Sequence, residues 1–357
     1  MKKIKVLVVG CGNMGASHAR AYNKLDEFEL VGIVDARKEA VDAFNNSVGK
    51  NYPHFADYGE ALATLKPDAV SICTYPNSHE ALAVRALESG CHVFVEKPIS
   101  SSVEGAQRVV DCAKKHNKKV VVGYILRHHP SWVKFIELAR SLGKPLVMRM
   151  NLNQQSHGKT WQGHKNLLHS LTPIVDCGVH YIDIMCQMTR SKPVRVSGIS
   201  ARIADDIGEN ERNYGQLQVA FEDGSVGWYE AGWGPMISTN AFFVKDVFGP
   251  KGCVSICAKE ASADKKSDDI DSHTKTNTLR FHSAEVSPDG SFAKADEWIN
   301  TQDEPVHDDL CAREQLYLYN AIVNDADLTE HLADAVNSLK IALAADESAR
   351  TGKTVVL

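Results

Sequence analysis

Residues 4–15 read Ile-Lys-Val-Leu-Val-Val-Gly-Cys-Gly-Asn-Met-Gly, a β-branched run that passes directly into the spacing GxGxxG. The run Ile4–Val9 predicts a strand, and a helix is expected after the glycines. Gly10 permits a tight turn, Gly12 lets the backbone approach a phosphate group, and Gly15 lets the helix pack closely. The stretch therefore predicts a phosphate-binding loop whose anion faces the first amides of a helix.

A carboxylate stands where an acid that binds ribose is expected. Asp35 ends the second predicted strand, about twenty residues after Gly15, where an acidic side chain accepts hydrogen bonds from the adenosine ribose. With Asn13 and Met14 in the loop, it predicts a dinucleotide site. Asp35 repels a 2′-phosphate, which favours NAD over NADP. Arg37 could partly offset that repulsion, although a solvated surface arginine is the simpler interpretation.

The sequence up to Gly123 alternates β-branched runs with helical stretches, which is typical of a parallel sheet covered by helices. The predicted strands are Ile4–Val9, Leu30–Val34, Ala69–Cys73, His92–Val95 and Lys119–Val122. The predicted helices are Met14–Lys24, Lys38–Asn45, Tyr58–Leu65, Ser78–Glu88 and Ser102–His116.

The pattern changes beyond Gly123. A polar, histidine-bearing stretch covers Asn151–Ser170, and a helix is expected after Thr172-Pro173 because threonine caps well and proline suits the first turn. The acidic and polar run Lys259–Asn277 predicts an exposed loop. The remaining predicted elements are helices Ser131–Arg140, Asp308–Asn324 and Glu330–Arg350, strands Val194–Ile199, Gln216–Phe221, Gly227–Ala231 and Phe242–Phe248, and a hairpin turn at residues 222–225.

These elements predict an α/β protein with a Rossmann domain over residues 1–125 and an α+β domain over residues 126–357. The last helices could pack back on the first domain. A chain of 357 residues exceeds what one core usually serves, which agrees with two domains.

Composition excludes several classes of protein. The net charge of −5 argues against general nucleic-acid binding, and no apolar run is long enough to cross a membrane. The nine cysteines are scattered in apolar segments without a CxxC pair, which indicates reduced thiols and a cytoplasmic protein.

Four further segments make the chain resemble one family. Glu96-Lys97-Pro98 directly follows the predicted strand His92–Val95, and residues 176–183 read Asp-Cys-Gly-Val-His-Tyr-Ile-Asp, similar to a DxGxHxxD segment. Residues 74–79 (Thr-Tyr-Pro-Asn-Ser-His) and 123–127 match in order and spacing. Together these segments resemble the glucose–fructose oxidoreductase, inositol dehydrogenase and MocA (Gfo/Idh/MocA) family along essentially the whole chain.

The resemblance implies a fold and a set of cofactor contacts. The fold is a Rossmann domain joined to an open-faced, mostly antiparallel sheet, whose outer face commonly mediates homo-oligomers such as dimers or tetramers. Glu96 and Lys97 are expected near the nicotinamide ribose, and the preceding loop is expected to border the cofactor through Thr74, Pro76, Asn77 and His79.

Lys97, His180 and Asp176 are the candidate catalytic residues. A lysine at the carboxyl edge of a parallel sheet can stabilise the charge that grows on a substrate oxygen as hydride leaves. On a continuous helix, Asp176, His180 and Asp183 share one face, and a histidine can take the alcohol proton at neutral pH. Asp176 would bind an adjacent hydroxyl or orient the base. Asp183 is left out of the catalytic set because a salt bridge would explain it.

Further residues are expected to contact the substrate, together with Asp176 and His180: Tyr124, Arg127, His128 and Trp161. Many family members carry Trp-Arg where this chain has Trp161-Gln162, which removes an arginine contact. Trp161 could stack on the nicotinamide or a sugar face, or pack within its loop. The spacing of His157, His164 and His169 fits no metal site, so no metal is expected.

Three functions remain open from the sequence. The first is an NAD-dependent oxidoreductase that acts on a secondary alcohol of a sugar or glycoside, with a 3-keto sugar as one product. The second is an inositol 2-dehydrogenase, since cyclic polyols present similar equatorial hydroxyls. The third is a non-catalytic NAD- or sugar-sensing regulator, in which loss of the lysine or histidine would be expected.

Overall fold

The computed structural model describes residues 3–238, 244–257, 276–301 and 303–357. The chain divides into two compact units. Unit 1 comprises Met1–Ile125 and Val306–Val336, and unit 2 comprises Leu126–Pro305 and Asn337–Leu357.

The N-terminal part of unit 1 alternates strands and helices throughout. Its elements are β1 (Ile4–Val9), α1 (Asn13–Lys24), β2 (Phe28–Val34), α2 (Lys38–Val48), β3 (His54–Phe55), α3 (Tyr58–Leu65), β4 (Ala69–Ile72), α4 (Pro76–Glu88), β5 (His92–Glu96), α5 (Val103–His116) and β6 (Val120–Gly123).

The six strands of unit 1 form one parallel sheet in the order β3-β2-β1-β4-β5-β6. The order reverses at β1, so the chain turns to opposite sides after β1 and after β4. Ligands bind at the carboxyl ends of strands beside such a reversal. The predicted Rossmann sheet is confirmed.

The remainder of the described chain begins with a 3₁₀ turn at Ile125–His128. It continues with α6 (Pro130–Ser141), β7 (Val147–Gln155), α7 (Gly158–Leu168), α8 (Pro173–Asp176), α9 (Gly178–Thr189), β8 (Pro193–Ala201), β9 (Tyr214–Phe221), β10 (Val226–Gly234), β11 (Lys245–Gly249), β12 (Gly252–Ile256), β13 (Asn277–Ser283), β14 (Glu297–Thr301), α10 (His307–Val323), α11 (Thr329–Thr351) and β15 (Val355–Val356).

The second sheet contains nine strands in the order β14-β13-β12-β11-β7-β10-β9-β8-β15. Among the described strands of this second sheet, only the central pair β7–β10 is parallel. The other pairs of the sheet run antiparallel. The mostly antiparallel sheet is confirmed. The turn at residues 222–225 joins β9 to β10 as predicted, with Gly224 at φ +81°.

Helix α10 packs on the parallel sheet of unit 1. Tyr319 joins the core made by β1, α1 and β2, and its ring centroid lies 5.9 Å from that of Phe28. Leu318 packs with Phe94 of β5 and Val121 of β6. A helix that follows the second sheet in sequence therefore completes the first core.

No strand was predicted within the polar stretch. Residues 151–155 belong to the stretch characterised only as polar and histidine-bearing, yet β7 runs through them at the centre of the second sheet. Their polar groups are paired across neighbouring strands: Asn151 Oδ1 accepts from the Val244 amide at 2.8 Å, and Gln154 Oε1 accepts from the Trp233 indole at 2.7 Å. Satisfied amides can be buried in a sheet, which hydropathy alone does not reveal.

Two other predictions fall partly outside the described residues. The predicted loop Lys259–Asn277 lies outside the described residues up to position 275, and its last residue begins β13. Residues 242 and 243 of the predicted strand Phe242–Phe248 also lie outside them, and β11 begins at Lys245.

The helix expected after Thr172-Pro173 is divided. α8 ends at Asp176 and α9 begins at Gly178, because the His180 amide donates to Cys177 O, three residues back, at 3.2 Å. The predicted helix is present as two segments that meet at Cys177, whose backbone keeps helical angles of φ −87° and ψ −36°.

Candidate active site

The glycine loop has the shape that a bound phosphate requires. Gly10 adopts φ +89°, and a Cβ there would lie 2.7 Å from Cys73 O. A Cβ on Gly15 would overlap the Gly10 carbonyl oxygen. By contrast, no described atom lies within 4 Å of a Cβ built on Gly12. Two glycines are thus required by the protein itself, while the third leaves open space beside the first amides of α1, which fits a dinucleotide.

Asp35 lies against this loop. Its Oδ2 accepts from the Cys11 amide at 2.7 Å, and its Oδ1 accepts from the Arg37 amide at 2.8 Å. The Arg37 Nε lies 3.7 Å from Oδ1, and its side chain is mostly exposed. The carboxylate therefore fastens the glycine loop to the end of β2, and its neighbouring guanidinium reaches into solvent.

The loop after β4 and the turn after β5 are joined by His79. Its Nδ1 lies 2.7 Å from Pro98 O and its Nε2 lies 3.0 Å from Thr74 O. Burial lowers the pKa of His79, and its two carbonyl contacts partly oppose that shift. Pro76 and Asn77 form the first turn of α4 beside Thr74.

Glu96 and Lys97 occupy the carboxyl end of β5. Glu96 is buried, and its Oε1 lies 2.7 Å from His18 Nε2. Its Oε2 accepts from the Lys97 amide at 3.2 Å. The structure thus brings the glycine loop, Thr74 and Lys97 to one edge of the parallel sheet, at the adjacent strands β1, β4 and β5.

In unit 2, Asp176 and His180 lie on either side of the break between α8 and α9, and both are half-buried. Thr172 caps α8 by accepting from the Val175 amide at 3.4 Å. Its hydroxyl also lies 2.8 and 2.9 Å from the two carboxylate oxygens of Asp346. Burial raises the pKa of Asp346 from 3.8 to about 6.

The helix that carries His180 is also held by an ion pair. Arg127 donates to both oxygens of Asp183, and the Nε contact is 2.8 Å long. Asp183 is fully buried, and Gln187 donates to it at 3.0 Å. This pair explains Asp183 without a catalytic role. A substrate contact by Arg127 stays a prediction.

The other predicted substrate residues occupy different surroundings. Tyr124 is buried, with its ring centroid 6.4 Å from that of His331. His128 closes the 3₁₀ turn. The Trp161 indole donates to Asp206 at 3.1 Å, and it is buried within α7. Their contacts with substrate, and the placement of His180 relative to Lys97, stay predictions.

The three histidines of the polar stretch are not brought together. His164 Nδ1 lies 2.9 Å from Ser156 Oγ and its ring stacks on Trp233 at 4.5 Å. His169 instead pairs with Glu211 at 2.7 Å, and His157 caps α7 from an exposed position. They therefore lie in three different surroundings.

Sequence reasoning missed the partners of the predicted residues. Gln315 of α10 contacts His18, a contact that spans 297 positions, and Asp346 contacts Thr172 across 174. No local motif announces either contact. The sequence offers one indication for His18, which lies about one helical turn after Gly15. Residues at this spacing share a face of a helix, so His18 lies on the face of α1 that carries Gly15.

Two family models match the chain. Residues 4–124 match the model described as an oxidoreductase family with an NAD-binding Rossmann fold, and residues 136–252 match the Gfo/Idh/MocA C-terminal domain. The chain therefore belongs to the Gfo/Idh/MocA oxidoreductase family, and its N-terminal part is an NAD-binding Rossmann fold.

Curated relatives and a solved structure agree with this assignment. The chain is 27% identical over 187 residues to an inositol 2-dehydrogenase of Agrobacterium fabrum (strain C58), covering 51% of this chain and 53% of the relative. It is 28% identical over 187 residues to the D-glucoside 3-dehydrogenase of Escherichia coli (strain K12), covering 50% and 52%. It thus spans about half the length of the curated relatives it matches.

The fold is similar to that of scyllo-inositol dehydrogenase from Lactobacillus casei, solved with NAD(H) and scyllo-inositol. The TM-score is 0.77 at 21% identity, with 99% of both chains covered. Separately, none of the helices in the described ranges has both the length and the apolar character needed to span a bilayer.

Proposed function

We propose that this protein is an NAD-dependent oxidoreductase that transfers hydride between a secondary alcohol of a sugar or glycoside and nicotinamide. The observation that carries the proposal is the shared edge of the parallel sheet. There the glycine loop, the Thr74 loop and Lys97 follow the adjacent strands β1, β4 and β5. A cofactor bound along this edge would have Lys97 beside its reactive end.

The residues that would hold NAD are those of the glycine loop, Asp35, Thr74, Pro76 and Asn77. When bound, NAD supplies the acceptor for two electrons and a proton as hydride. The open space above Gly12 fits its pyrophosphate, and Asp35 is placed to exchange a backbone contact for a ribose hydroxyl.

The protein's own chemistry is proton transfer and charge stabilisation. His180 would take the alcohol proton, because imidazole exchanges a proton near neutral pH. The Lys97 ammonium would stabilise the oxygen as negative charge develops on it. Asp176 would bind the neighbouring hydroxyl or orient His180. These roles require the two side chains to meet at one carbon of the substrate.

The substrate class rests on the relatives. These relatives include an inositol 2-dehydrogenase and a D-glucoside 3-dehydrogenase. An inositol 2-dehydrogenase is therefore the second candidate within the same chemistry. Oxidation at one ring carbon of a glucoside would give a 3-keto sugar, whereas oxidation of an inositol would give an inosose.

A panel assay tests these alternatives. Purified protein is first examined by native mass spectrometry for bound NAD, because a tightly held cofactor would escape a free-NADH assay. NAD reduction is then followed with inositol isomers and with alkyl glucosides, each with and without a second carbonyl sugar as acceptor. Turnover of glucosides supports the proposal, turnover of inositols alone supports the alternative, and tight NAD binding without turnover supports a regulator.

The proposal includes the setting in which the enzyme works. We expect a cytoplasmic homo-oligomer, a dimer or tetramer, that acts on a small molecule and binds neither nucleic acid nor membrane. The outer face of the second sheet carries a groove of about 490 Å³ lined by apolar and polar residues, among them Val147, Val226 and Trp228. Light scattering that shows a monomer at assay concentrations would contradict this part.

A further inference from the structure

A buried chain of hydrogen bonds leads from α10 through α1 to the end of β5. Tyr22 of α1 bonds to the Gln315 side-chain oxygen. Gln315 Nε2 lies 2.9 Å from His18 Nδ1, and His18 Nε2 lies 2.7 Å from Glu96 Oε1. The other oxygen of Glu96 accepts from the Lys97 amide. All of these residues belong to unit 1.

With Glu96 ionised and the His18 ring neutral, one set of hydrogen-bond directions satisfies the chain. A Glu96 carboxylate only accepts, so the His18 Nε2 must donate. In a neutral ring the Nδ1 then only accepts, and it requires the amide nitrogen of Gln315. The amide oxygen therefore faces Tyr22, whose hydroxyl donates. One protonation state of His18 thus satisfies every member.

Burial makes this arrangement costly to disturb. Tyr22, His18 and Gln315 are almost completely buried. Glu96 lies over Gly123 of β6, its partner in the sheet register, where a Cβ would come within 3.3 Å of the carboxylate. Gly123 therefore makes room for Glu96. An unpaired polar group at this depth costs about 1–3 kcal/mol.

A second buried carboxyl group lies beside the chain. Burial raises the pKa of Glu314 well above its usual range, and the charge of Glu96 raises it further. Its Oε1 has no hydrogen-bond partner within the described part of the chain. Glu314 therefore favours its protonated form beside Glu96.

We propose that His18 and Gln315 are positioning residues for the reaction: they hold Glu96, and through it the backbone of Lys97, in one geometry. The proposal rests on the proposed function. The polarised chain sets where the Lys97 side chain leaves β5, and a catalytic group displaced by about 1 Å can lose about 100-fold in rate.

A metal ion is the competing explanation of this region. His18, Cys311 and Glu314 offer ligand atoms within 4.8 Å of one another. However, both ring nitrogens of His18 are already engaged, and burial raises the pKa of the Cys311 thiol, which favours the protonated form. Hydrogen bonding accounts for His18 without a metal.

The first test reads the ring directly and needs no turnover. In protein labelled with ¹⁵N-histidine, the His18 signals are assigned by their loss in His18→Gln. We expect protonated Nε2 and unprotonated Nδ1, and we expect Gln315→Leu to shift the Nδ1 signal, because that nitrogen loses its hydrogen-bond donor while Nε2 still donates to Glu96. A protonated Nδ1 in the parent protein, or a stoichiometric metal that Cys311→Ser removes, would overturn the proposal even if the enzyme is active.

The second test separates positioning from folding. His18→Leu should lower kcat about 10- to 100-fold and change its pH profile, with the affinity for NAD nearly unchanged. His18→Gln should restore most of the rate, because its amide can donate to Glu96. The double variant His18→Leu with Gln315→Leu should lose no more than the worse single variant, since the chain acts as a unit.

His92→Leu is the matched control. His92 lies at the opposite end of β5, where its Nδ1 accepts from the Lys119 amide at 3.0 Å. We expect this variant to lose stability without a change in the pH profile of kcat. Equal kinetic effects in His18→Leu and His92→Leu, or losses that multiply in the double variant, would refute positioning. Absence of turnover in the parent would instead refute the proposed function, leaving the tautomer test valid.

Discussion

The two candidate catalytic segments are supported by different chemistry. In unit 1, Lys97 follows a carboxylate held by a mainly neutral hydrogen-bond chain through His18 and Gln315. In unit 2, the helix of His180 is held by the buried ion pair between Arg127 and Asp183. Breaking a buried ion pair by removing one partner costs more than breaking a neutral bond, because a charge is left unpaired. We therefore predict that disrupting the support of Lys97 mainly lowers the catalytic rate. Disrupting the support of the His180 helix should mainly lower the free energy of unfolding.

The largest expected effects come from the catalytic candidates themselves. Lys97→Ala and His180→Ala should each lower turnover by about 10² to 10⁴, because each removes charge stabilisation or proton transfer. NAD affinity should stay within a small factor. Steady-state kinetics and calorimetric NAD titration measure both. Lys50→Ala and His157→Ala, at exposed positions, serve as controls, and turnover retained in either test variant removes that residue from the mechanism.

Removing one ion-pair partner should separate the two segments. Arg127→Leu leaves the buried Asp183 charge without its cation and should lower the free energy of unfolding by about 3–5 kcal/mol. Denaturant titration measures this loss. Adding Asp183→Asn should recover part of it, since the stranded charge is gone. Gln315→Leu is the comparison in unit 1, with an expected loss of about 1–3 kcal/mol. Equal losses would erase the contrast between the segments.

The Asp346 carboxyl adds a pH dependence to the second segment. Its pKa is raised from 3.8 to about 6 in the folded chain, so between these values the folded state binds more protons than the unfolded state. Its contribution is therefore fully present at low pH and is lost as pH rises through about 6, by about 3 kcal/mol at most. Asp346→Asn should flatten this part of the stability profile measured by unfolding. An unchanged slope would contradict the assignment.

Asp35→Ala should have the smallest effect, on binding rather than on chemistry or folding. It removes a charged acceptor from the ribose site and should weaken NAD binding by about 10- to 100-fold, the worth of a hydrogen bond to a charged group. Fluorescence titration with NAD and NADP measures it. The variant should narrow any preference for NAD over NADP because Arg37 remains. Asp42→Ala, which removes an acid that pairs with Lys38 on α2, is the control.

The sequence predicts local relations well and distant ones poorly. Gly10, Gly15 and Asp35 were assigned from spacing, because a tight turn and a strand end are set by nearby residues. By contrast, the pairing of Gln315 with His18 depends on α10 packing against α1, and nothing in either segment alone specifies it.

Two other differences between prediction and structure also depend on contacts with residues distant in sequence. The break at Cys177 coincides with a three-residue backbone bond, and packing restricts the residue beside it, because a Cβ added to Gly178 would lie 3.0 Å from the Tyr229 ring. Polarity also misled in β7, since amides satisfied by neighbouring strands are as compatible with burial as aliphatic side chains.

The polar residues of β7 favour one alignment of this strand with its neighbours in the second sheet. Asn151 accepts from the backbone amide of the segment that leads into β11, and Asn153 donates to Glu230 of β10. Each side-chain amide therefore bonds to a different neighbouring segment. If β7 slipped by two residues, its aliphatic side chains would still face the core, but both amides would lose their partners, at about 1–3 kcal/mol each. A purely aliphatic strand would lack that penalty and would tolerate several alignments.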